Sequence, residues 1–204
     1  MAYPTTTTSR RCTAGGLLVL GALLLAGDTP AAVPDAAEAG FTSVNELTIA
    51  APCANVWEEL VAIRRWWQDD HTFWGDAANL SLDPHLGGYF AERKPDGTGE
   101  VRHLEVIWVE PGRRLRLRGG LGPLQEHAVS AVLTITLAPV ATDGSPDGAR
   151  NDGACRLIVK YAVGGYVPGG LAAWAPVVDG VLRQQFTRLQ TLVETGSPDA
   201  PGGR

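Results

Sequence analysis

Apolar residues recur at helical spacing in the last part of the chain, within residues 169–194. The recurring positions are Leu171, Trp174, Val178, Leu182, Phe186, Leu189 and Val193. Polar side chains, among them Asp179 and Arg183, fall between these positions. The pattern predicts one long amphipathic helix with an apolar stripe and a face toward water. Because such a helix is not stable alone, it needs a partner surface.

Strands are predicted over most of the chain before this helix. Arg114-Leu-Arg-Leu-Arg118 alternates strictly, which predicts leucines toward the core and arginines toward water. Pro52 opens a predicted helix at residues 53–63, and a short helix or turn follows at residues 64–71. Runs of strands bounded by helices favour an α+β fold whose sheet curls around the final helix. The predicted strands cover residues 45–50, 79–83, 89–93, 100–109, 114–118, 128–137 and 155–163.

The first residues have the pattern of a secretory signal. Arg10 and Arg11 precede an apolar run at residues 17–26, which is too short to span a bilayer comfortably, and small residues follow. Residues 1–31 are predicted to be a signal peptide with cleavage after Ala31 or after Ala39. The mature protein is then periplasmic or secreted and has no stable membrane span. The alternative is an uncleaved N-terminal segment that anchors the chain in the membrane, and the export route stays open.

Composition predicts the remaining boundaries. Residues 32–40 are predicted to be a flexible linker, because this part of the chain is rich in alanine, proline and acidic residues. A single domain is predicted at residues 41–195, followed by a disordered tail at residues 196–204. Residues 142–153 are rich in Asp, Gly, Pro and Asn, which is typical of a mobile hairpin tip.

Charge and motifs exclude several classes of function. The 204 residues carry a net charge of -5, which gives no electrostatic footprint for nucleic acid. The sequence contains no phosphate-binding loop, no G-x-S-x-G, no H-E-x-x-H and no C-x-x-C motif, and its four scattered histidines do not suggest a metal site. We therefore expect no metal, no cofactor and no nucleic-acid partner, and the oligomeric state stays open.

Several short motifs together resemble those of START-like domains, the SRPBCC superfamily of polyketide cyclase and Hsp90-ATPase-activator type. The likeness covers about residues 41–194. It implies a helix-grip fold, in which a curved seven-stranded antiparallel sheet wraps around the long C-terminal helix and encloses a cavity. The motifs are Ile49-Ala-Ala-Pro-Cys-Ala-Asn-Val-Trp57, Trp66-Trp67, Gly87-Gly88, Val109-Glu-Pro-Gly-Arg-Arg-Leu115 and Val178-Asp-Gly-Val-Leu182.

The resemblance implies a class of functions rather than one activity. Members include lipid and sterol carriers, polyketide cyclases, hormone-binding proteins and co-chaperones, so the fold alone assigns no chemistry. We expect the partner to be a small hydrophobic molecule, such as a lipid, an isoprenoid or an aromatic metabolite, bound between sheet and helix. Two alternatives stay open: a cyclase/dehydratase-type enzyme acting on a polyketide-like substrate, and a co-chaperone-like interaction module.

Aromatic side chains are the candidate ligand contacts, since Trp and Tyr combine an apolar face with a hydrogen-bonding group. The densest cluster is at residues 66–75, which lies at the cavity mouth in a helix grip. Plain core packing is the alternative role for these residues. The candidate ligand-binding residues are Trp67, His71, Trp74, Trp108, Tyr161 and Trp174.

The candidate catalytic residues are His71, His103 and Glu126. An enzyme of cyclase type would need a buried acid–base pair beside the carbonyl groups of its substrate. His103 with Glu126 or Glu100 forms such a pair if both side chains face inward. The alternative is that they point outward from a sheet with one buried face.

Two cysteines remain if Cys12 leaves with the signal. In the strand order that the resemblance implies, the first and last strands are antiparallel neighbours, which brings Cys53 near Cys155. Two outcomes stay open. The pair forms a disulfide in an oxidising compartment, or the two residues remain small, unpaired apolar side chains.

Overall fold

The computed structural model describes residues 32–141 and 150–199, and its strands form one antiparallel sheet. Side-chain burial alternates along most of these strands, because one face of the sheet is covered. Within these residues the sheet has eight strands in the order β1-β2-β8-β7-β6-β5-β4-β3. The strands are β1 Ala32–Ala37, β2 Gly40–Ile49, β3 Leu80–Leu82, β4 Tyr89–Arg93, β5 Glu100–Glu110, β6 Arg114–Arg118, β7 Ala128–Ala141 and β8 Arg150–Tyr166.

Two α-helices accompany the sheet: α1 at Cys53–Val61 and α2 at Ala175–Thr195. Helix α2 has Pro176 in its first turn, where no intrahelical N–H is needed, and it ends at Gly196 in the left-handed conformation. The predicted α+β helix-grip fold is confirmed: a curved antiparallel sheet holds one long C-terminal helix. Short 3-10 turns lie at Ile63–Arg65, Asp69–His71, Ala77–Asn79 and Gly122–Glu126.

The core lies between the inner face of the sheet and α2. In β6, Leu115 and Leu117 are buried while the arginines on either side reach the surface, as the alternation predicted. The inward face of β8 is buried from Cys155 to Val163, and Phe186 and Leu189 of α2 belong to the same apolar cluster. Burial of these side chains, rather than intrinsic helix propensity, stabilises α2 in place.

The sheet begins earlier in the chain than the sequence predicted. The predicted linker at residues 32–40 is instead part of the fold, because Ala32–Ala37 pairs with β2 as an additional edge strand. The backbone oxygen of Glu38 accepts a hydrogen bond from the Leu171 N–H at 2.9 Å, and that of Ala39 accepts one from the Gly165 N–H at 3.0 Å. The alanine-rich composition of residues 32–40 did not reveal this strand, because backbone groups rather than side chains form its hydrogen bonds. The sheet therefore has eight strands where seven were expected.

A disulfide joins α1 to β8. Strand β2 pairs with β8 in the register that sets Ile49 opposite Cys155. The chain then turns and places Cys53 at the start of α1. The Cys53 and Cys155 sulfurs are bonded, with 5.0 Å between the two Cα atoms. The bond closes a loop with a sequence separation of 102 residues, so it constrains the unfolded chain strongly.

A buried polar cluster ties α2 to β2. Asp179, predicted to face water, is only 7% exposed. Its Oδ1 accepts hydrogen bonds from Ser43 Oγ at 2.6 Å and from Asn45 Nδ2 at 3.2 Å, and Arg183 lies 3.7 Å from Oδ2. The prediction was wrong because helical spacing does not reveal polar partners on another element. A carboxylate can be buried when such donors satisfy it.

Three predictions fall wholly or largely outside the described residues. Of the hairpin tip predicted at residues 142–153, residues 142–149 are not described, whereas the rest belongs to β8. Residues 1–31, which include the predicted signal, and residues 200–204 of the predicted tail are likewise outside. Neither helix in the described part combines the length and apolar character that crossing a membrane requires.

Candidate functional site

A cavity of about 370 Å³ lies between the inner face of the sheet and the first half of α2. Phe73 and Val177 line it while remaining 51% and 63% exposed, so they form its mouth. The rest of the wall is mostly apolar. Its other members are Trp67, Asp70, His71, Thr72, Phe90, His103, Leu121, Gly122, Pro123, Leu124, Trp174, Val178, Val181 and Leu182.

The deeper interior is filled by side chains. Leu115 and Leu117 of β6, Ile135 of β7 and Phe186 of α2 surround a gap of only about 20 Å³, about the room that one water molecule needs. Between the sheet and α2, the described residues therefore leave space for a guest molecule at the end of the domain where α2 begins. There the cavity wall includes Val178 and Val181, which are smaller than the Phe186 that fills the interior further along the helix.

His103 is the most enclosed polar side chain of the cavity wall. It lies on β5 and is 6% exposed. Its ring stacks on Phe73 with 5.6 Å between centroids and packs against Phe90 at 4.7 Å. The Nε2 of Gln125, on the turn Gly122–Glu126, lies 3.3 Å from His103 Nδ1.

Glu92 faces His103 from the neighbouring strand β4. Glu92 is 0% exposed, and its Oε2 lies 3.5 Å from His103 Nε2. The carboxylate accepts backbone hydrogen bonds from the Phe73 N–H at 2.9 Å and from the Trp74 N–H at 2.9 Å. Glu92 therefore holds the segment that forms one wall of the cavity. The distance to His103 is long for a hydrogen bond, so the contact is chiefly electrostatic.

The protonation of His103 is set by two opposing effects. Burial lowers the pKa of His103 below its ordinary value of 6.5, because the charged imidazolium loses its hydration. The Glu92 carboxylate opposes this effect by favouring the charged ring, and burial is the larger effect. At neutral pH the ring is therefore neutral, with one nitrogen as donor and the other as acceptor.

Four of the sequence-predicted residues come together in the cavity wall. They are Trp67, His71, Trp174 and His103. Trp67 is buried, and its indole Nε1 donates to the backbone oxygen of His71 at 2.9 Å, which fixes the orientation of the ring. The cluster at residues 66–75 thus contributes to the cavity mouth.

Three predicted ligand contacts lie elsewhere. Trp74 is not among the lining residues and packs toward Gly99 of the β4–β5 hairpin. Trp108 is 44% exposed on the outer face of the sheet, where the guanidinium groups of Arg114 and Arg116 lie over its ring. A single-residue shift in the β5–β6 pairing follows Val106 and accompanies this outward placement.

Tyr161 is buried in the core rather than exposed to the cavity. Its hydroxyl donates to the backbone oxygen of Gly119 and accepts from the Leu121 N–H, each at 3.0 Å. Burial raises the pKa of Tyr161 well above its ordinary value, and the bond from Leu121 opposes the rise. The residue therefore holds the loop that precedes the cavity wall, and it is not among the residues that line the cavity.

The predicted carboxylate partners of His103 are on the surface. Glu126 is exposed at the end of its turn, and Glu100 is exposed beside Arg93 at 3.2 Å. Glu92 was not predicted as a site residue, although the sequence contains a signal for it. Phe90 and Glu92 are two positions apart in one strand, so they share a face, and an inward phenylalanine implies an inward carboxylate. Gln125 carried no comparable signal.

Comparison with known proteins supports the fold. No family model and no curated protein matches the sequence. A conserved protein of unknown function from Enterococcus faecalis is similar in structure, with a TM-score of 0.55 and 12% identity over 86% of this chain and 82% of that one. CalU16 from Micromonospora echinospora matches with a TM-score of 0.50 and 15% identity over 79% and 78% of the chains.

Norcoclaurine synthase from Thalictrum flavum, in truncated form, matches with a TM-score of 0.50 and 14% identity over 80% of this chain and 99% of that one. Identities this low indicate a shared fold and do not transfer residue roles. Fold and cavity together define the class: an α+β helix-grip domain with an enclosed, largely apolar site. The chemistry of this site depends on the residues of this chain.

Proposed function

We propose that this protein binds a small, largely apolar molecule in the cavity between the sheet and the first half of α2. The observation that carries the proposal is the cavity itself, which remains open although the interior beside it is closely packed. Its volume of about 370 Å³ lies in the range typical of small-molecule sites. A lipid, an isoprenoid or an aromatic metabolite has the apolar surface that this wall would cover.

The mouth of the cavity supports the same proposal. Phe73 and Val177 are exposed apolar side chains at the entrance, and Trp174 lies beside them on the wall. Exposed apolar groups around an opening are favoured where they gain contacts from a bound molecule. The few polar side chains at this end are Asp70, His71 and Thr72, which gives the site one polar edge.

The neutral fluorescent probe N-phenyl-1-naphthylamine tests this proposal. Its emission rises in apolar surroundings, so titration of the full chain should give saturable binding at one site. Val181→Trp places a large ring in the cavity and should abolish the signal. Thr187→Trp adds the same side chain to the exposed face of α2 and should leave binding unchanged. Equal binding by the two variants, or none by the wild type, would overturn the proposal.

An enzyme of cyclase/dehydratase type is the second candidate, and the contact between His103 and Glu92 favours it. A buried imidazole beside a carboxylate in a cavity wall is the arrangement that proton transfer to or from a bound substrate requires. The pair would move a proton at a carbon next to a carbonyl group. Turnover of a polyketide-like substrate by the wild type, lost in His103→Phe, would support this role.

We also propose that the protein is exported and that the signal is cleaved after Ala31. Cleavage after Ala39 would remove β1 and the Glu38 carbonyl that accepts the Leu171 N–H. Cleavage after Ala31 would retain the whole edge strand. Sequencing the first residues of the protein from a periplasmic or culture fraction tests this choice. A start at Gly40, or full-length chain in the cytoplasm, would contradict it.

A further inference from the structure

His103 has a defined hydrogen-bonding state. The Nε2 of Gln125 is an amide nitrogen, which donates and cannot accept, so His103 Nδ1 is the acceptor of the 3.3 Å contact. The ring proton of the neutral imidazole is then on Nε2, which faces Glu92 Oε2 at 3.5 Å. Glu92 is anchored in turn by the Phe73 and Trp74 N–H groups. The carboxylate and the amide therefore select the same tautomer.

The two ring nitrogens differ in access. Nε2 is fully enclosed and has no hydrogen bond of ordinary length. Nδ1 lies on the side of Gln125, whose turn Gly122–Glu126 contributes Gly122, Pro123 and Leu124 to the cavity wall. Gln125 itself is partly exposed and is not among the lining residues. Its amide can give way to a bound molecule, and Nδ1 is then a buried acceptor beside an apolar space.

The charged groups around the cavity restrict the class of ligand further. Asp70 lines the mouth, and Glu92 lies behind His103. A ligand carboxylate or phosphate would approach the buried charge of Glu92 in surroundings of low polarity, where like charges repel strongly, whereas Asp70 is exposed and water screens its repulsion. A ligand that only accepts hydrogen bonds would find the Nε2 proton directed at Glu92 and out of reach. A neutral hydroxyl both avoids the repulsion and supplies the donor that Nδ1 lacks once Gln125 withdraws.

We infer that the ligand class is a neutral apolar molecule bearing a hydroxyl group, which donates to His103 Nδ1. The inference rests on the proposed binding function and adds the polar group by which the cavity recognises its ligand. Glu92 acts as a positioning residue, since it holds the tautomer that leaves Nδ1 as the acceptor, whereas Gln125 occupies Nδ1 until the ligand replaces it.

Two matched probes test the inference: naphthol, and its methyl ether, which has the same rings but no hydroxyl donor. Equilibrium dialysis against the full chain gives the ratio of their affinities. Naphthol should bind about 2- to 10-fold more tightly, the ratio that one net hydrogen bond provides. His103→Phe keeps an aromatic ring in place and should reduce the ratio to one, whatever its effect on the affinity for the methyl ether.

Gln125→Leu provides the second variant, and its result stands even if His103→Phe does not fold. It removes the amide that competes with the ligand hydroxyl, so the ratio should equal or exceed that of the wild type. A wild-type ratio of one, with both probes bound, would overturn the inference and leave the proposed function standing. An unchanged ratio in His103→Phe would also overturn it. Binding of neither probe would overturn the inference together with the proposed function.

Discussion

Glu92 provides the sharpest test of how the cavity wall is built. Its two oxygens accept the Phe73 and Trp74 N–H groups, each at 2.9 Å, and the side chain is entirely buried. Glu92→Gln keeps one accepting oxygen but turns an amide N–H₂ toward the other backbone donor. One buried N–H then has no acceptor, which costs about 1–3 kcal/mol. Glu92→Leu removes both acceptors, so its cost is about twice as large.

Urea denaturation measures the predicted loss in unfolding free energy, and amide hydrogen exchange at Phe73 and Trp74 locates it. At least one of the two amides should exchange faster in Glu92→Gln than in the wild type, and both should do so in Glu92→Leu. Glu100→Gln is the matched control, because Glu100 makes only an exposed ion pair with Arg93. It should change stability by no more than about 0.5 kcal/mol. Equal stability of the two variants, with unchanged exchange at both amides, would refute the assigned role of Glu92.

The remaining predictions concern the disulfide, pH and the helix. Reduction of the bond between Cys53 and Cys155, which closes a loop of about 100 residues, should lower the unfolding free energy by up to about 4.7 kcal/mol. Thiol titration of the denatured chain should find two more thiols after reduction, and an equal count before and after would contradict the bond. Since the folded pKa of His103 is lowered, its contribution to stability is complete above about pH 6.5 and is lost as the pH falls below that value. His103→Phe should flatten this part of the stability curve measured by urea denaturation, and an identical curve would contradict it. Leu182→Asp buries an unpaired charge beneath α2 and should cost several kcal/mol in thermal or urea unfolding, whereas Thr187→Ala should cost no more than about 0.5 kcal/mol. Equal costs would mean that the buried face of the helix is wrongly assigned.

Periodicity predicted the fold well because most elements bury one face. The leucines of β6 and the inward positions of β8 alternate without interruption, and their burial follows the pattern directly. The apolar stripe of α2 is equally regular. These elements satisfy their own backbone hydrogen bonds within the sheet or helix, so local pattern and final structure agree. Strand β1 was not predicted, because its pairing depends on backbone hydrogen bonds to β2 rather than on the pattern of its own side chains.

The site was less predictable because its partners come from separate elements. Asp179 could not be recognised as buried without knowing that Ser43 and Asn45 face it from β2. Trp108 follows an irregularity in strand pairing that turns it outward, which strict alternation does not anticipate. Glu92 is the exception. Its position two residues after Phe90 is visible in the sequence, and alternation along the strand would have placed it on the inner face of the sheet. Its contact with His103 depends also on the irregular pairing of β4 with β5, which the sequence does not reveal.

The claim that an apolar molecule occupies the cavity is tested most directly by methyl NMR. The full chain, labelled at leucine and valine methyls, is titrated with N-phenyl-1-naphthylamine, and nuclear Overhauser effects between probe and protein are recorded. The account predicts saturable shifts and direct effects at Leu124, Val181 and Leu182, which line the cavity, and none at Leu115 in the filled interior. Contacts confined to the outer face of the sheet, or no saturable shift at the cavity methyls, would contradict it.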